Sequence, residues 1–266
     1  AGQSVVLMNF ACAAKSRGLD ISKVLVFVMD KESKDLVEGL GMVAYYNENF
    51  FGVLPSKDGN YGDSNFSMVV LAKIMAAHLL SLTGYDFLAQ DADVFWYKHP
   101  LTFFEDPTLA DPEFDIFFQD DINGGIRFQP FRANSGFYFA RSNDRTRMLM
   151  KDFVMTTDHL MATRCDQQTL HEVMAEQVSL WGLRVKVFDA DDTKYFPAGG
   201  HYHLKREFMQ KLIHGELKDE LYVFHMNWNS NKKDKIAYMR QMGQWFVHDQ
   251  CMGESYNSLS ENSRGN

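Results

Sequence analysis

The stretch YDFLAQDADVFW, residues 85–96, carries the pattern on which the interpretation of this chain depends. Its apolar run at residues 85–88 predicts a short buried strand, which leads to Asp91 and Asp93 and then to a second apolar run. Buried carboxylates cost free energy unless they are paired or bind a metal. At the carboxyl end of a strand they point into the crevice where α/β sheets bind ligands. A solvated turn is the alternative, but the hydrophobic flanks favour a site for a hard divalent cation that also holds phosphate oxygens.

Apolar runs that alternate with helical patterns organise the rest of the chain. The predicted strands occupy residues 4–9, 23–29, 42–46, 85–88, 114–118, 136–140, 184–188 and 221–224. The predicted helices occupy residues 11–17, 31–40, 66–82, 143–161 and 167–176. This alternation predicts an α/β fold with parallel pairing and right-handed crossovers. We expect one continuous structural unit, with an ordered loop at residues 47–63 and a frayed polar tail from residue 255.

Composition and charge narrow the function classes. The 266 residues include 27 basic and 35 acidic side chains, a formal charge of −8, which argues against a nucleic-acid-binding surface. Cys12, Cys165 and Cys251 lie far apart and form no Cys-x-x-Cys pair, so we expect inert thiols and no structural zinc. No apolar run reaches the roughly 18 residues of a membrane span. We interpret the chain as a trimmed catalytic domain, so that any N-terminal membrane anchor would lie outside it.

Four further segments carry polar groups that packing alone explains poorly. Each also has a simple structural explanation: a turn for 134–136, a helix N-cap for Asp166, a surface turn for 196–201 and a core imidazole for His225. Lysines that follow His225 could neutralise a diphosphate, or could form a solvated charge run. Together with the acidic pair, the segments favour a site for a metal and a diphosphate. In order they read NSGF (134–137), DQ (166–167), FPAGGH (196–201) and HMNWN (225–229).

These segments, in this order, resemble the nucleotide-diphospho-sugar transferases of the GT-A fold. The similarity is greatest to glycosyltransferase family 77, which contains plant xylosyl- and arabinosyltransferases. The resemblance implies a Rossmann-like α/β domain whose mixed, mostly parallel sheet is flanked by helices. It would span residues 1–254, with a nucleotide-binding half at about 1–133 and a half for the donor sugar and acceptor at about 134–254.

The resemblance also implies a role for each matching residue. Asp91, Asp93 and His225 would bind Mn²⁺ or Mg²⁺, and Asp166 and Gln167 would lie close to the anomeric carbon as catalytic residues. The remaining residues would contact the nucleotide sugar: Asn9, Lys73, Asp91, Asn134, Ser135, Gly136, Gly199, Lys232 and Lys235. Asn9 is expected at the end of the first strand, near the base.

The expected activity is metal-dependent transfer of a sugar from a nucleotide-diphosphate donor, with UDP favoured, to a hydroxyl of a glycan or glycoprotein acceptor. Relatives retain the anomeric configuration. Two other classes remain open: a metal-dependent nucleotide-sugar hydrolase or phosphoesterase, and a non-catalytic binding domain. Two-metal hydrolases need more clustered ligands than the sequence contains, and the acidic pair with His225 argues against loss of turnover. The resemblance implies the Golgi lumen, with a cytoplasmic location as the alternative.

Overall fold

Eight strands and ten helices make up the part of the chain that the structure, a computed structural model, describes. That part comprises residues 4–51, 64–121, 129–188, 194–217, 219–229, 231–248 and 251. The strands are β1 (Leu25–Phe27), β2 (Val43–Tyr45), β3 (Phe87–Gln90), β4 (Val94–Trp96), β5 (Ile116–Asp120), β6 (Ala133–Ala140), β7 (Val185–Val187) and β8 (Val223–His225). The helices are α1 (Ser4–Ser16), α2 (Lys31–Gly39), α3 (Ser64–Ser81), α4 (Leu101–Phe104), α5 (Asp144–Met155), α6 (Thr157–Thr163), α7 (Asp166–Trp181), α8 (Gly199–Leu204), α9 (Arg206–Ile213) and α10 (Lys232–Gln241).

The strands form three hydrogen-bonded groups. The largest has the order β3-β6-β5-β7, with β6 antiparallel to both of its neighbours and β5 parallel to β7. β1 pairs with β2 in parallel, and β4 pairs with β8 antiparallel. The α/β class and the mixed sheet are therefore confirmed. The expected predominance of parallel pairs is wrong for the described strands, because β6 and β8 return against their neighbours instead of crossing over.

The two expected halves of the chain share one sheet. Position 133/134 falls at the start of β6, and β6 pairs with β3 and β5 from the first half. This pairing fits a single structural unit, and the division into functional halves stays a prediction. Residues 52–63 of the expected loop and residues 255–266 of the expected tail lie outside the described residues.

The N-terminal segment contradicts the sequence prediction. Residues 4–9 form the first turns of helix α1, which continues to Ser16, instead of a strand. An apolar run does not distinguish a buried strand from a buried helix. Here helix is favoured because the run continues through Ala11, Ala13 and Ala14, strong helix formers that are themselves fully buried.

Other predicted elements shift without changing type. The strand expected at 85–88 lies two residues later, as β3, and so leads directly into Asp91. The helix expected at 143–161 is divided at Thr156, which ends α5 and precedes α6. No helix in the described part of the chain combines the length and the apolar character that crossing a membrane requires.

The cysteines also differ from expectation. Cys12 in α1 and Cys251 form a disulfide with a Cα–Cα distance of 5.8 Å, although 239 positions separate them in sequence. Cys165, at the start of α7, is buried. Sequence could not predict the pair, because only folding brings the C-terminal segment against α1. Asn9 holds the same segment, since its side chain accepts from the Phe246 N–H and donates to the Gln244 carbonyl.

We predict that this disulfide stabilises the fold by closing a long loop. A native disulfide typically contributes about 2–4 kcal/mol to the free energy of unfolding. Wild-type protein should therefore melt at a lower temperature when reductant is added, whereas Cys251→Ser should melt at that lower temperature with or without reductant. An equal response of both proteins to reductant would contradict the prediction.

Candidate functional site

The β3–β6 pairing sets the position of Asp91. Gln90 pairs with Phe137, and the next backbone N–H, that of Asp91, donates to the Gly136 carbonyl at 2.8 Å. Asp91 thus leaves the end of β3 directly beside Gly136. Its side chain is 39% exposed, so the carboxylate can reach a ligand.

Gly136 makes room for this arrangement. A Cβ at this position would lie 2.5 Å from Asp91 Oδ2 and 2.6 Å from His225 Cε1. Sequence predicted that a glycine here lets the backbone approach a ligand. The structure gives a different reason, because the space above Gly136 is occupied by two of the predicted metal-binding side chains.

The β4–β8 pairing brings His225 to the acidic pair. Val94 pairs with His225, and the Met226 N–H donates to the Asp93 carbonyl at 2.9 Å. His225 Nε2 lies 3.4 Å from Asp93 Oδ1 and 4.0 Å from Asp91 Oδ2. Asp93 and His225 are 5% and 1% exposed, so both polar groups need partners inside the fold.

Gln119 sets which nitrogen of His225 carries the proton. The fully buried Gln119 side chain donates from Nε2 to the carbonyls of Phe196 and Pro197, at 2.9 and 3.0 Å. Its Oε1 is left as an acceptor and lies 2.8 Å from His225 Nδ1. His225 Nδ1 must therefore be the donor, so Nε2 is the ring nitrogen that faces the two carboxylates and is placed to bind a metal.

The donor set fits a divalent metal. Ligand atoms of Asp91, Asp93 and His225 all lie within 4.8 Å of one another. Two carboxylates this close to each other repel, and a divalent cation bound between them and the imidazole would relieve that repulsion. Oxygen-rich sets that include imidazole suit Mn²⁺, and carboxylates also suit Mg²⁺.

Two lysines partner the acidic pair in the ligand-free protein. Lys235 Nζ lies 2.7 Å from Asp93 Oδ2, and Lys73 Nζ lies 2.9 Å from Asp91 Oδ1. Burial alone would raise the pKa of Asp93, but Lys235 and His225 together lower it below its ordinary value. Burial alone would lower the pKa of Lys73, and the carboxylates of Asp91 and Asp166 raise it instead. Asp93 and both lysines are therefore charged at neutral pH.

Lys73 also connects the acidic pair to the start of α7. Its Nζ lies 3.4 Å from Asp166 Oδ2, and the same oxygen accepts from the Ser135 hydroxyl at 2.8 Å. Asn134 turns its Oδ1 toward the Gly136 N–H at 2.7 Å. The NSG segment and the DQ segment, which are about 30 residues apart in sequence, thus form one continuous wall beside Asp91.

Asp121, one residue beyond β5, joins this wall to the segment after β8. The carboxylate is 6% exposed and accepts hydrogen bonds from four side chains. Its donors are Gln167 Nε2 at 2.8 Å, Trp228 Nε1 at 2.9 Å, Asn134 Nδ2 at 3.2 Å and Asn227 Nδ2 at 3.4 Å.

The sequence pattern predicted no role at the site for Gln119 or Asp121. A signal was present, because the run IFFQDD at 116–121 repeats the pattern of an apolar strand that ends in acids. Their partners, however, come from segments 13 to 107 positions away in the chain, and no local pattern identifies them.

Two predicted nucleotide-sugar contacts, Asn9 and Gly199, have a different role in the structure. Asn9 is in α1, 0% exposed, and its amide holds the backbone of residues 244–246, so it is not available to a nucleotide base. Gly199 packs against the chain instead of a ligand, because a Cβ there would lie 2.0 Å from the Asn227 carbonyl oxygen. Lys232 begins α10, one turn before Lys235.

Comparison with known proteins agrees with this geometry. The sequence profile of the family described as "Nucleotide-diphospho-sugar transferase" matches residues 20–239. The chain is 23% identical over 256 residues to the β-arabinofuranosyltransferase RAY1 of Arabidopsis thaliana. It is 21% identical over 227 residues to the UDP-galactose:fucoside α-3-galactosyltransferase of Dictyostelium discoideum. The alignments cover 90% and 80% of this chain, which spans only 45% and 34% of those relatives.

Two crystal structures are also similar to the fold. One is a glycosyltransferase involved in the glycosylation of the major capsid of PBCV-1, with a TM-score of 0.48 at 18% identity over 82% of this chain and 97% of that chain. The other is mouse xyloside xylosyltransferase 1, with a TM-score of 0.48 at 12% identity over 85% of this chain and 94% of that chain. On the extent of the sequence-profile match, the chain belongs to the nucleotide-diphospho-sugar transferase family.

Proposed function

We propose that this chain is the catalytic domain of a metal-dependent glycosyltransferase. It moves a sugar from a nucleotide-diphosphate donor, with UDP favoured, to a hydroxyl of a glycan or glycoprotein. Convergence of Asp91, Asp93 and His225 next to Lys235 carries the proposal, because it offers a cation site and a positive side chain at one place. The relatives include an arabinofuranosyltransferase and a UDP-galactose-dependent transferase, which supports the donor class.

Each group of side chains at the site has a separate role in the proposed reaction. Asp91, Asp93 and His225 would hold Mn²⁺ or Mg²⁺, and the cation would supply a Lewis acid for the negative charge on the departing diphosphate. Lys235 adds positive charge there, with Lys232 one turn earlier on α10. Asn134, Ser135 and Gly136 line the donor-sugar pocket, and Lys73 holds Asp91 and Asp166 in place.

The reaction exchanges one bond at the anomeric carbon. The bond to the β-phosphate oxygen breaks, the bond to the acceptor oxygen forms, and the acceptor proton leaves with the nucleoside diphosphate. Retention of configuration follows if the acceptor attacks from the face that the diphosphate leaves. Asp166 and Gln167, at the N-terminus of α7, are the side chains that we place beside the anomeric carbon.

We also propose that the domain works in the lumen of the Golgi. The Cys12–Cys251 disulfide supports this location, because disulfides persist in oxidising compartments and are rare in the cytosol.

Nucleotide release from a panel of UDP- and GDP-sugars tests the function directly. We expect release from one donor with Mn²⁺, no release with EDTA, and loss of release in Asp93→Asn, which removes one charged ligand from the metal site. Circular dichroism should show that Asp93→Asn keeps the fold. Full activity of this variant would refute the metal assignment, and free sugar as the main product in the presence of acceptors would favour a hydrolase.

We predict that Gly136→Ala weakens metal binding although residue 136 is not a ligand. The added methyl group overlaps Asp91 Oδ2 and the His225 ring, so both side chains must move away from residue 136. Displacing metal ligands through their surroundings commonly reduces affinity by about 10–100-fold. Titration of Mn²⁺ followed by electron paramagnetic resonance measures the effect. Wild-type affinity in Gly136→Ala would show that Asp91 and His225 do not bind the same ion.

We predict that replacing Lys235 strengthens the binding of Mn²⁺ and weakens the binding of UDP. Lys235 occupies Asp93 Oδ2 in a largely buried ion pair, so Lys235→Met should increase Mn²⁺ affinity in the absence of nucleotide by about tenfold or more, because removing one partner of a buried pair leaves an uncompensated charge that the cation can pair. The same variant should bind UDP with Mn²⁺ more weakly, because the diphosphate loses a positive partner. Calorimetric titrations measure both affinities.

Lys233→Met is the matched control for this pair of measurements. Lys233 lies on the same helix and is exposed, so its loss removes the same charge without releasing Asp93. If Lys233→Met changes both affinities as Lys235→Met does, net charge accounts for the effect and the contact with Asp93 does not.

A further inference from the structure

Asp121 is buried among hydrogen-bond donors and offers only acceptor atoms. Oδ1 receives the side-chain N–H groups of Trp228, Asn134 and Asn227, and Oδ2 receives Gln167 Nε2. A carboxylate without a proton cannot donate. Every amide that meets Asp121 must therefore turn its NH₂ group toward it.

This constraint sets the polarity of the Gln167 side chain. At 2.8 Å, the Nε2–Oδ2 contact uses the amide nitrogen, so Oε1 points away from Asp121. Gln167 is half-buried. Its Oε1 lies at the start of α7, next to Asp166, on the side of the amide that faces away from Asp121.

Asp121 orients the side-chain amides of Asn134 and Asn227 in the same way. Asn134 gives its NH₂ group to Asp121 and its Oδ1 to the Gly136 N–H, while Asn227 gives its NH₂ group to Asp121 and its Oδ1 to the Gly199 N–H. Trp228 adopts a left-handed backbone with φ 63° and still directs its indole N–H to Asp121. Such a backbone persists where the surroundings determine it strongly. The four donors come from three separate segments, and Asp121 is the group that they share.

We propose that Asp121 is a positioning residue that orients Gln167 so that the amide oxygen, and not the amide NH₂ group, faces the reacting sugar. The inference rests on the proposed function, in which Gln167 lies beside the anomeric carbon. Positive charge develops on the sugar ring as the leaving group departs, as in glycoside hydrolysis. A carbonyl oxygen directed at that charge stabilises it, whereas an NH₂ group in the same place opposes it.

Asp121→Asn tests the orientation while it keeps the shape. The remaining oxygen of the new amide still accepts from Trp228 and the two asparagines. Its NH₂ group now faces Gln167, which must turn its own oxygen inward and its NH₂ group toward the sugar. Because the hydrogen bonds are conserved in number, the melting temperature should change little. The rate constant kcat should fall by about 100-fold, comparable to the loss of one preorganised electrostatic partner, with donor KM changed by less than about threefold.

Gln167→Glu in the Asp121→Asn background provides the rescue. Asn at 121 then donates to Glu at 167, and the second carboxylate oxygen again faces the sugar. We expect kcat at least about tenfold above that of Asp121→Asn, on the scale of a restored charge-assisted hydrogen bond. Gln167→Glu alone should be poor, because two carboxylates meet. Equal kcat in Asp121→Asn and wild type, or no recovery in the double variant, would overturn the inference.

A measurement without substrate separates this inference from the proposed function. In the nuclear magnetic resonance spectrum, the Gln167 side-chain NH₂ protons should exchange slowly with water in wild type and faster in Asp121→Asn. Equal exchange in the two proteins would overturn the orientation itself. Slow exchange in a wild-type protein that releases no nucleotide from any donor would leave the orientation supported and would refute the proposed function.

Discussion

Repulsion between the carboxylates of Asp91 and Asp93 is the constraint on which the rest of the site depends. Ligand atoms of these two carboxylates and of the His225 imidazole lie within 4.8 Å of one another, and Asp93 and His225 are almost fully buried. Burying such charges costs several kcal/mol per ion unless they are paired. Lys73 and Lys235 provide that pairing in the ligand-free protein. The acidic pair is therefore held in ion pairs within the folded protein before a metal binds.

Backbone pairing makes this concentration of charge possible. Antiparallel contacts between β3 and β6 and between β4 and β8 deliver the three ligands from different parts of the chain to one point. Because Asp91 and His225 lie so close to Gly136, there is no space for a side chain at that position. The Asn227 carbonyl likewise leaves no space for one at Gly199. Both glycines allow segments of this chain to approach each other closely inside the site. Glycines of this kind are easily mistaken for ligand contacts in a sequence, because both uses need a missing Cβ.

A second layer of polar residues determines how the first layer presents its atoms. Gln119 directs His225 Nε2 toward the carboxylates, and Asp121 turns the amides of Asn134, Asn227 and Gln167 so that each NH₂ group faces it. Both residues use their polar atoms in hydrogen bonds within the fold. Both act through hydrogen bonds whose direction is unambiguous, because one end of each network can only accept or only donate.

Local pattern was enough to predict the α/β class, most of the helices and strands, and the acidic pair, whereas the family resemblance added His225 to that pair. These features have periodicities and flanking residues that the sequence displays directly. It was not enough for residues 4–9, where an apolar run is compatible with strand and helix, or for the disulfide between Cys12 and Cys251. Asn9 was also predicted to contact the nucleotide base, whereas in the folded chain its side-chain amide binds the backbone of residues 244–246.

The residue types at the site were determined by the sequence, and their neighbours were decided by the tertiary structure. Asp91 and Asp93 follow a strand that the local apolar pattern predicts and that the structure contains as β3. Only the folded sheet places His225 beside them, and only the packing of α7 and the segment after β8 against β5 gives Asp121 its four donors. The reason is physical: secondary structure is encoded over a few residues, whereas hydrogen bonds between segments more than 100 positions apart depend on register and packing that no local window contains.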